Sequence, residues 1–122
     1  MKLYGAAQSG GGLQSVSPGE RIVLFDGTET PVANITSLAF ARAPGPTQVP
    51  AGIVFSMDFA AAPTVTMQIQ GANVDTELAY QTLYTKDNTQ HDYYRDAGNS
   101  MFYRAKVSAY TSGGMPTVIA QR

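Results

Sequence analysis

The polar residues whose types could support chemistry are concentrated in residues 87–99 of the 122-residue chain. This segment includes the chain's one histidine, His91. A histidine that acts as a general base needs a nucleophile to activate and a third group to orient it. Asp92 follows His91 directly, so on a strand the two side chains would point to opposite faces. Since the sequence also lacks a nucleophile motif, we interpret His91 as an exposed loop residue.

The same segment could bind a cation, because calcium prefers six to eight oxygen ligands and loops often supply them. Its spacing matches no calcium-binding repeat, and Asp and Asn are also common turn formers. The chain has no cysteine, which excludes thiolate nucleophiles and thiolate metal sites. We predict no enzymatic activity, no metal and no cofactor, with a cation at residues 87–99 as the open alternative. The oxygen-bearing residues concerned are Asp87, Asn88, Asp92, Asp96 and Asn99.

The aromatic residues suggest a different function, carbohydrate binding. Several tyrosines on one exposed face of a β-sandwich could form a platform for sugar rings. The competing interpretation is that some fill the core and others line a protein interface, where tyrosine is enriched. The absence of tryptophan, usually the strongest element of sugar platforms, favours the second interpretation. The residues concerned are Tyr80, Tyr84, Tyr93, Tyr94, Phe102, Tyr103 and Tyr110.

Charge and composition limit the classes of partner. The formal net charge is −1, and the eight basic residues form no cluster, so we predict binding neither to nucleic acid nor to a membrane surface. Only 14% of residues are charged, which favours a surface that other proteins can cover. No apolar run reaches the roughly 20 residues of a membrane helix. Residues 1–5 also lack the apolar stretch of a signal peptide, so we expect synthesis in a cytoplasm.

The elements that must position these residues are short β-strands. In three runs, at 53–59, 64–70 and 102–110, successive residues alternate between two faces, and in the first two runs the apolar face points inward. Short strands at about ten-residue spacing, with no convincing helix, predict one all-β domain over 20–122, an antiparallel β-sandwich or jelly roll. The inward residues of the first two runs are Ile53, Phe55, Met57, Phe59, Val65, Met67 and Ile69, and in the third run Tyr103, Ala105, Val107 and Ala109 share one face.

The remaining segments give weaker patterns. We predict an irregular strand at 31–40 and a strand with Leu78, Tyr80, Thr82 and Tyr84 on one face. The sequence AAAP at 60–63 has the length of a hairpin connection. The stretch 41–52 contains three prolines, which predicts a long surface connection.

The composition of residues 1–19 predicts an extended arm. Gly10, Gly11 and Gly12 are costly to order, and Leu3, Leu13 and Val16 are the only clearly anchoring apolar side chains. We therefore expect the arm to be mobile alone or ordered by a neighbouring protein.

The order of motifs from 52 to 121 resembles a β-sandwich module that recurs in structural proteins of tailed bacteriophages. A β-x-β-x-Gly strand at 65–71 leads to a strand carrying an aromatic residue, Tyr80, and Leu83. The strand at 103–113 then starts aromatic-Arg-x-x-Val and ends in Tyr-Thr-Ser-Gly. Tyr80 stands where tryptophan is common in that module.

Among small phage proteins with this module, capsid decoration (cement) proteins are the most similar to this chain. The resemblance implies a non-enzymatic virion protein on the capsid surface that binds the major capsid protein at capsomer junctions. It also implies a homo-oligomer, with a trimer favoured. A carbohydrate-binding module and a phage neck, tail or fibre protein are the alternatives. The predicted interface residues are Leu3, Tyr4, Leu13, Val16, Tyr93, Tyr94, Phe102 and Tyr110.

Overall fold

A computed structural model of the chain describes residues 14–16, 19–30, 32–42, 52–59, 64–87, 91–112 and 114–122. Its regular elements are short strands and one 3₁₀ turn, named η1. They are β1 Gln14–Val16, β2 Arg21–Asp26, β3 Phe40–Arg42, β4 Ile53–Asp58, β5 Thr64–Ala72, η1 Glu77–Ala79, β6 Gln81–Asp87, β7 His91–Asp96, β8 Phe102–Ser112 and β9 Thr117–Gln121.

The strands form two sheets, one of five strands in the order β1-β3-β8-β5-β6 and one of four in the order β2-β9-β4-β7. All strand pairs are antiparallel except β1 with β3. From β2 onward, only β5 and β6 are both consecutive in the chain and neighbours in a sheet. The prediction of an all-β antiparallel sandwich is confirmed.

The core consists of the inward-pointing residues of both sheets. The alternation predicted for 53–59 and 64–70 is confirmed, since every residue assigned there to the core is buried. In β8 the predicted shared face is correct for Tyr103, Ala105 and Val107, which are buried, but wrong for Ala109, which is exposed. The β5–β8 register shifts between Thr66 and Met67, and this irregularity breaks the alternation before Ala109.

Aromatic rings connect the two sheets through the core. Tyr103 of β8 lies 5.7 Å, centroid to centroid, from Phe40 and also from Phe55 of β4. Phe55 is stacked on Tyr94 of β7 at 6.0 Å, and Tyr94 on Tyr84 of β6 at 4.8 Å. Contacts of this kind add about 1 kcal/mol each beyond the burial of apolar area. The rings therefore connect β6 and β7, which are edge strands of different sheets, to the middle of the sandwich.

Three predictions about the weaker segments are wrong. Residues 32–39 form no continuous strand: Asn34 adopts a left-handed φ of 71°, and Thr36 makes only an isolated bridge to Lys106. Residues 60–63 lie outside the described residues, but they connect strands of different sheets and so cannot close a hairpin. Leu78 belongs to η1 rather than to a strand, which removes it from the predicted face.

Part of the predicted arm pairs with the domain. Residues 14–16 form β1, which lies parallel to β3 in the register Gln14↔Phe40 to Val16↔Arg42. The free edge of β3 supplies backbone groups for this pairing, a source of order that side-chain hydrophobicity does not reveal. Residues 1–13 and 17–18 of the arm lie outside the described residues. Of the connection predicted at 41–52, residues 41 and 42 belong instead to β3, and residues 43–51 lie outside the described residues.

Candidate interaction surface

The loop between β5 and β6, residues 73–80, is called the η1 loop here. It covers Arg104, which lies beside Gln70 in the β5–β8 register and is only 7% exposed. The Arg104 guanidinium donates from Nε to Gln70 Oε1 at 2.8 Å. It also donates to both carboxylate oxygens of Glu77, at 2.7 and 3.1 Å. A bidentate pair of this kind fixes orientation as well as distance, so Arg104 holds the loop against the sheet.

Tyr80 closes the same cluster from the other side. Its ring centroid lies 4.0 Å from Cζ of Arg104, a distance at which the cation is attracted to the aromatic face. Its hydroxyl donates to Asp75 Oδ1 at 2.7 Å. Burial, together with the Asp75 hydrogen bond, raises the pKa of Tyr80 well above its ordinary value. Tyr80 therefore stays protonated at neutral pH and ties the start of the η1 loop to its end.

Backbone hydrogen bonds complete the loop. The amide of Thr76 donates to the carbonyl of Val74 at 2.8 Å, and the amide of Ala79 donates to the carbonyl of Thr76 at 3.0 Å. The hydrogen bond with Arg104 lowers the pKa of Glu77, so this carboxylate is ionised at neutral pH. These contacts predict one preferred backbone conformation for the loop in the free protein.

This fixed loop presents apolar side chains to solvent. Leu78 is 98% exposed and Val74 is 59% exposed. Scattered exposed apolar residues are common on proteins. Here, however, both lie on one short loop whose conformation is set by a buried arginine. Full burial of one leucine against a partner is worth roughly 2 kcal/mol, so the loop is a plausible protein contact.

A second polar cluster surrounds Asp96 at the end of β7. This residue is buried, with only 8% of its surface exposed. Asp96 Oδ2 accepts hydrogen bonds from the Tyr103 hydroxyl at 2.6 Å and from the Gly98 amide at 2.8 Å. Asp96 Oδ1 accepts from the Tyr94 hydroxyl at 2.8 Å. Burial acts to raise the pKa of Asp96, but these donors outweigh burial and the net pKa is lowered.

The tyrosines of this cluster are held in their neutral form. Burial and the hydrogen bond to Asp96 raise the pKa of both Tyr94 and Tyr103 to about 12. Tyr84 donates in the same way to Asp92, and this hydrogen bond raises its pKa. The hydrogen bonds that Asp96 accepts from Tyr94, Tyr103 and Gly98 are called the Asp96 latch here.

The predicted interface residues occupy different environments. Tyr93 lies on the edge strand β7 and is 61% exposed, with His91 making an edge contact to its ring at 4.7 Å. Tyr94 and Tyr110 pack partly against the core, and Phe102 is half-buried. The side chains of Leu3, Tyr4, Leu13 and Val16 lie outside the described residues.

The residues considered for chemistry do not converge in the described structure. His91 is exposed, as predicted, but it is the first residue of β7 rather than a loop residue. Within residues 14–122, apart from the undescribed gaps, no group of three or more His, Asp or Glu side chains could hold a metal ion. In the described ranges, no helical segment has the length and apolar character needed to span a bilayer.

An open apolar groove lies beside β2 and the segment that precedes β3. Its volume is about 190 Å³, and Leu24, Phe25, Ile35 and Leu38 supply most of its apolar lining. Glu29 also lines the groove, but its carboxylate accepts hydrogen bonds from the amides of Asp26 and Gly27 at 3.0 and 3.1 Å. Glu29 thus stabilises the turn after β2.

The sequence patterns name Tyr80, Tyr94, Tyr103 and Asp96 for other roles but do not predict the contacts that organise the η1 loop and the Asp96 cluster. Arg104 and Glu77 are separated by 27 positions, and no local pattern joins them. A comparison of the chain with models of protein families, with curated protein sequences and with solved structures finds no match.

Proposed function

We propose that this chain is a non-enzymatic virion structural protein that decorates a phage capsid and contacts the major capsid protein through the η1 loop. One observation carries the proposal: Leu78 is 98% exposed on a loop held by the bidentate pair of Arg104 and Glu77. The virion part of the proposal comes from the sequence resemblance, and the all-β sandwich agrees with the fold that it implies.

The proposed mechanism is binding without chemistry. A loop that is ordered before binding loses less conformational entropy when a partner covers it. Because each shell offers many equivalent sites, modest contacts at each site add up when the protein binds as an oligomer. Binding to the assembled shell alone would then stabilise the shell by mass action. Neck, tail and fibre positions would use the same surface.

The carbohydrate alternative depends on exposed tyrosine rings. Tyr80 lies against Arg104, Tyr94 is stacked with two other aromatic rings, and Tyr103 is buried. Tyr93 does offer a ring that is mostly exposed. A single tyrosine is a small platform, so we rank protein binding above sugar binding.

The test is co-sedimentation of the full chain with shells assembled from the major capsid protein encoded in the same genome. We expect saturable binding that Leu78→Ser weakens at least about tenfold, because the variant removes roughly 2 kcal/mol of apolar burial from the contact. Val32→Ser is the matched control, since Val32 is also an exposed apolar residue, at 53%. Equal binding by wild type and Leu78→Ser would exclude the η1 loop as the contact. A tyrosine-dependent hit on a glycan array, without shell binding, would favour the carbohydrate module.

A further inference from the structure

The outer face of the four-stranded sheet has an ordered arrangement of charge. The strand registers place its outward-pointing residues in three rows across β2, β9, β4 and β7. The basic row is Arg21, Gln121, Val54 and Arg95; the middle row is Val23, Ile119, Ser56 and Tyr93; the acidic row is Asp26, Thr117, Asp58 and His91.

The two outer rows differ in sign. Arg21 and Arg95 lie at the two ends of the basic row, and both are exposed. Asp58 is exposed in the acidic row, together with the partly exposed Asp26. Rows two residues apart along a strand are separated by roughly 6.6 Å, so the basic and acidic rows lie roughly 13 Å apart. The middle row between them contains no charged residue.

We propose that this face binds the same face of a second copy of the chain. A two-fold axis in the plane of the interface and perpendicular to the strands brings each basic row onto the partner's acidic row. Arg21 then meets Asp26 of the other copy, and Arg95 meets Asp58 and His91. The middle rows meet each other, so that Tyr93, Ile119 and Val23 are covered. Such an isologous contact needs a self-complementary surface, which this arrangement of charge provides.

The size of the face sets the expected strength of dimerisation. Four strands at about 4.8 Å spacing and rows spanning roughly 13 Å give a patch smaller than the ~800 Å² per partner of standard interfaces. Exposed ion pairs are also screened by salt. We therefore expect a reversible dimer that forms at high protein concentration and low ionic strength. This inference does not depend on the virion proposal, because it concerns only the free protein.

Sedimentation velocity of the full chain, from about 10 to 500 µM and at two salt concentrations, tests the inference. We expect a monomer–dimer equilibrium that high salt weakens. Arg95→Glu and Asp58→Lys should each weaken dimerisation at least about tenfold, because each reversal replaces attraction by repulsion at both symmetric contacts. The double variant Arg95→Glu/Asp58→Lys should recover dimerisation, because it restores opposite signs across the interface.

Lys86→Glu is the matched control, since Lys86 lies on β6 of the other sheet and should not alter dimerisation. Circular dichroism and a melting curve verify that each variant is folded. A monomer at every concentration, or association that the charge reversals leave unchanged, would overturn the proposal. A trimer insensitive to these substitutions would also overturn it and would favour the threefold assembly that the resemblance implies.

Discussion

The Arg104 and Asp96 clusters lie at the same end of the sandwich but satisfy a buried charge in opposite ways. The charge of Arg104 is neutralised by the carboxylate of Glu77. Glu77 lies on the η1 loop, and its side chain is 70% exposed. Asp96 has no cationic partner among its hydrogen bonds and is held by two tyrosine hydroxyls and by the backbone amides of Gly98 and Asn99. The Arg104 cluster therefore connects to a surface loop, whereas the Asp96 cluster connects to the core.

This difference separates a loop-ordering role from a fold-stabilising role. Removal of Arg104 leaves Glu77 free to be solvated, because Glu77 is already exposed. Removal of the Asp96 carboxylate leaves buried donors without an acceptor, which costs more. The chain can therefore lose the order of its η1 loop without losing its fold, whereas loss of the Asp96 latch costs more stability.

The largest effect is expected from Asp96→Ala. The substitution leaves the Tyr103 hydroxyl and the Gly98 amide without their acceptor, and we expect a loss of about 3 kcal/mol in the free energy of unfolding. Urea denaturation measures this loss. Tyr94→Phe removes only one donor at the edge of the cluster and should cost about 1 kcal/mol. Equal stability of Asp96→Ala and wild type would contradict the latch.

A smaller effect on stability, with a larger one on the loop, is expected from Arg104→Met. Methionine keeps an apolar stem but loses the hydrogen bonds to Gln70 and Glu77, so we expect a loss of about 1–2 kcal/mol. Hydrogen exchange in the η1 loop should become faster by about tenfold or more, while exchange in β4 stays slow. The exchange rate of the η1 loop in Arg104→Lys should lie between those of wild type and Arg104→Met, because lysine keeps the charge but cannot form the bidentate pair. Unchanged exchange in the η1 loop would show that Arg104 does not order it.

Acid should weaken the Asp96 latch. The folded-state pKa of Asp96 is lowered relative to its ordinary value, so the unfolded chain binds the proton more tightly. The stabilisation is therefore fully present above the ordinary aspartate pKa of about 3.9 and is lost as pH falls below it. Melting temperatures between pH 6 and pH 2 measure this loss. Asp96→Asn should show a shallower decline than wild type; a parallel decline in both would assign acid sensitivity to other groups.

The smallest effect is expected from deletion of residues 2–17. The deletion removes β1, which contributes only three residues to the edge of the five-stranded sheet, so the melting temperature should change by a few degrees at most. The same deletion should weaken shell binding if the arm clasps a neighbouring subunit. A truncated chain that fails to fold would show that residues 2–17 belong to the core.

The fold was more predictable than the candidate surface. Strict alternation in 53–59 and 64–70 identified buried strands, because a period of two is a local signal. Gly71, which ends one of these runs, is also explained by packing: a Cβ there would lie 2.5 Å from Oγ of Ser100. The sequence "ELAYQTLY" fits a strand period, which predicts a strand position for Leu78, but its first three residues form a 3₁₀ turn in which Glu77 pairs with Arg104. Long-range polar contacts of this kind leave no periodic trace in one sequence.

Hydrogen exchange, compared between the free chain and the chain bound to shells of the major capsid protein, tests the central proposal most directly. In the free chain, the amides of Thr76 and Ala79 should exchange more slowly than in an unstructured peptide, because both are hydrogen-bonded. On the shell, peptides that cover residues 73–80 should gain further protection. Unchanged exchange in residues 73–80 of the bound chain, with new protection elsewhere, would contradict recognition through the η1 loop.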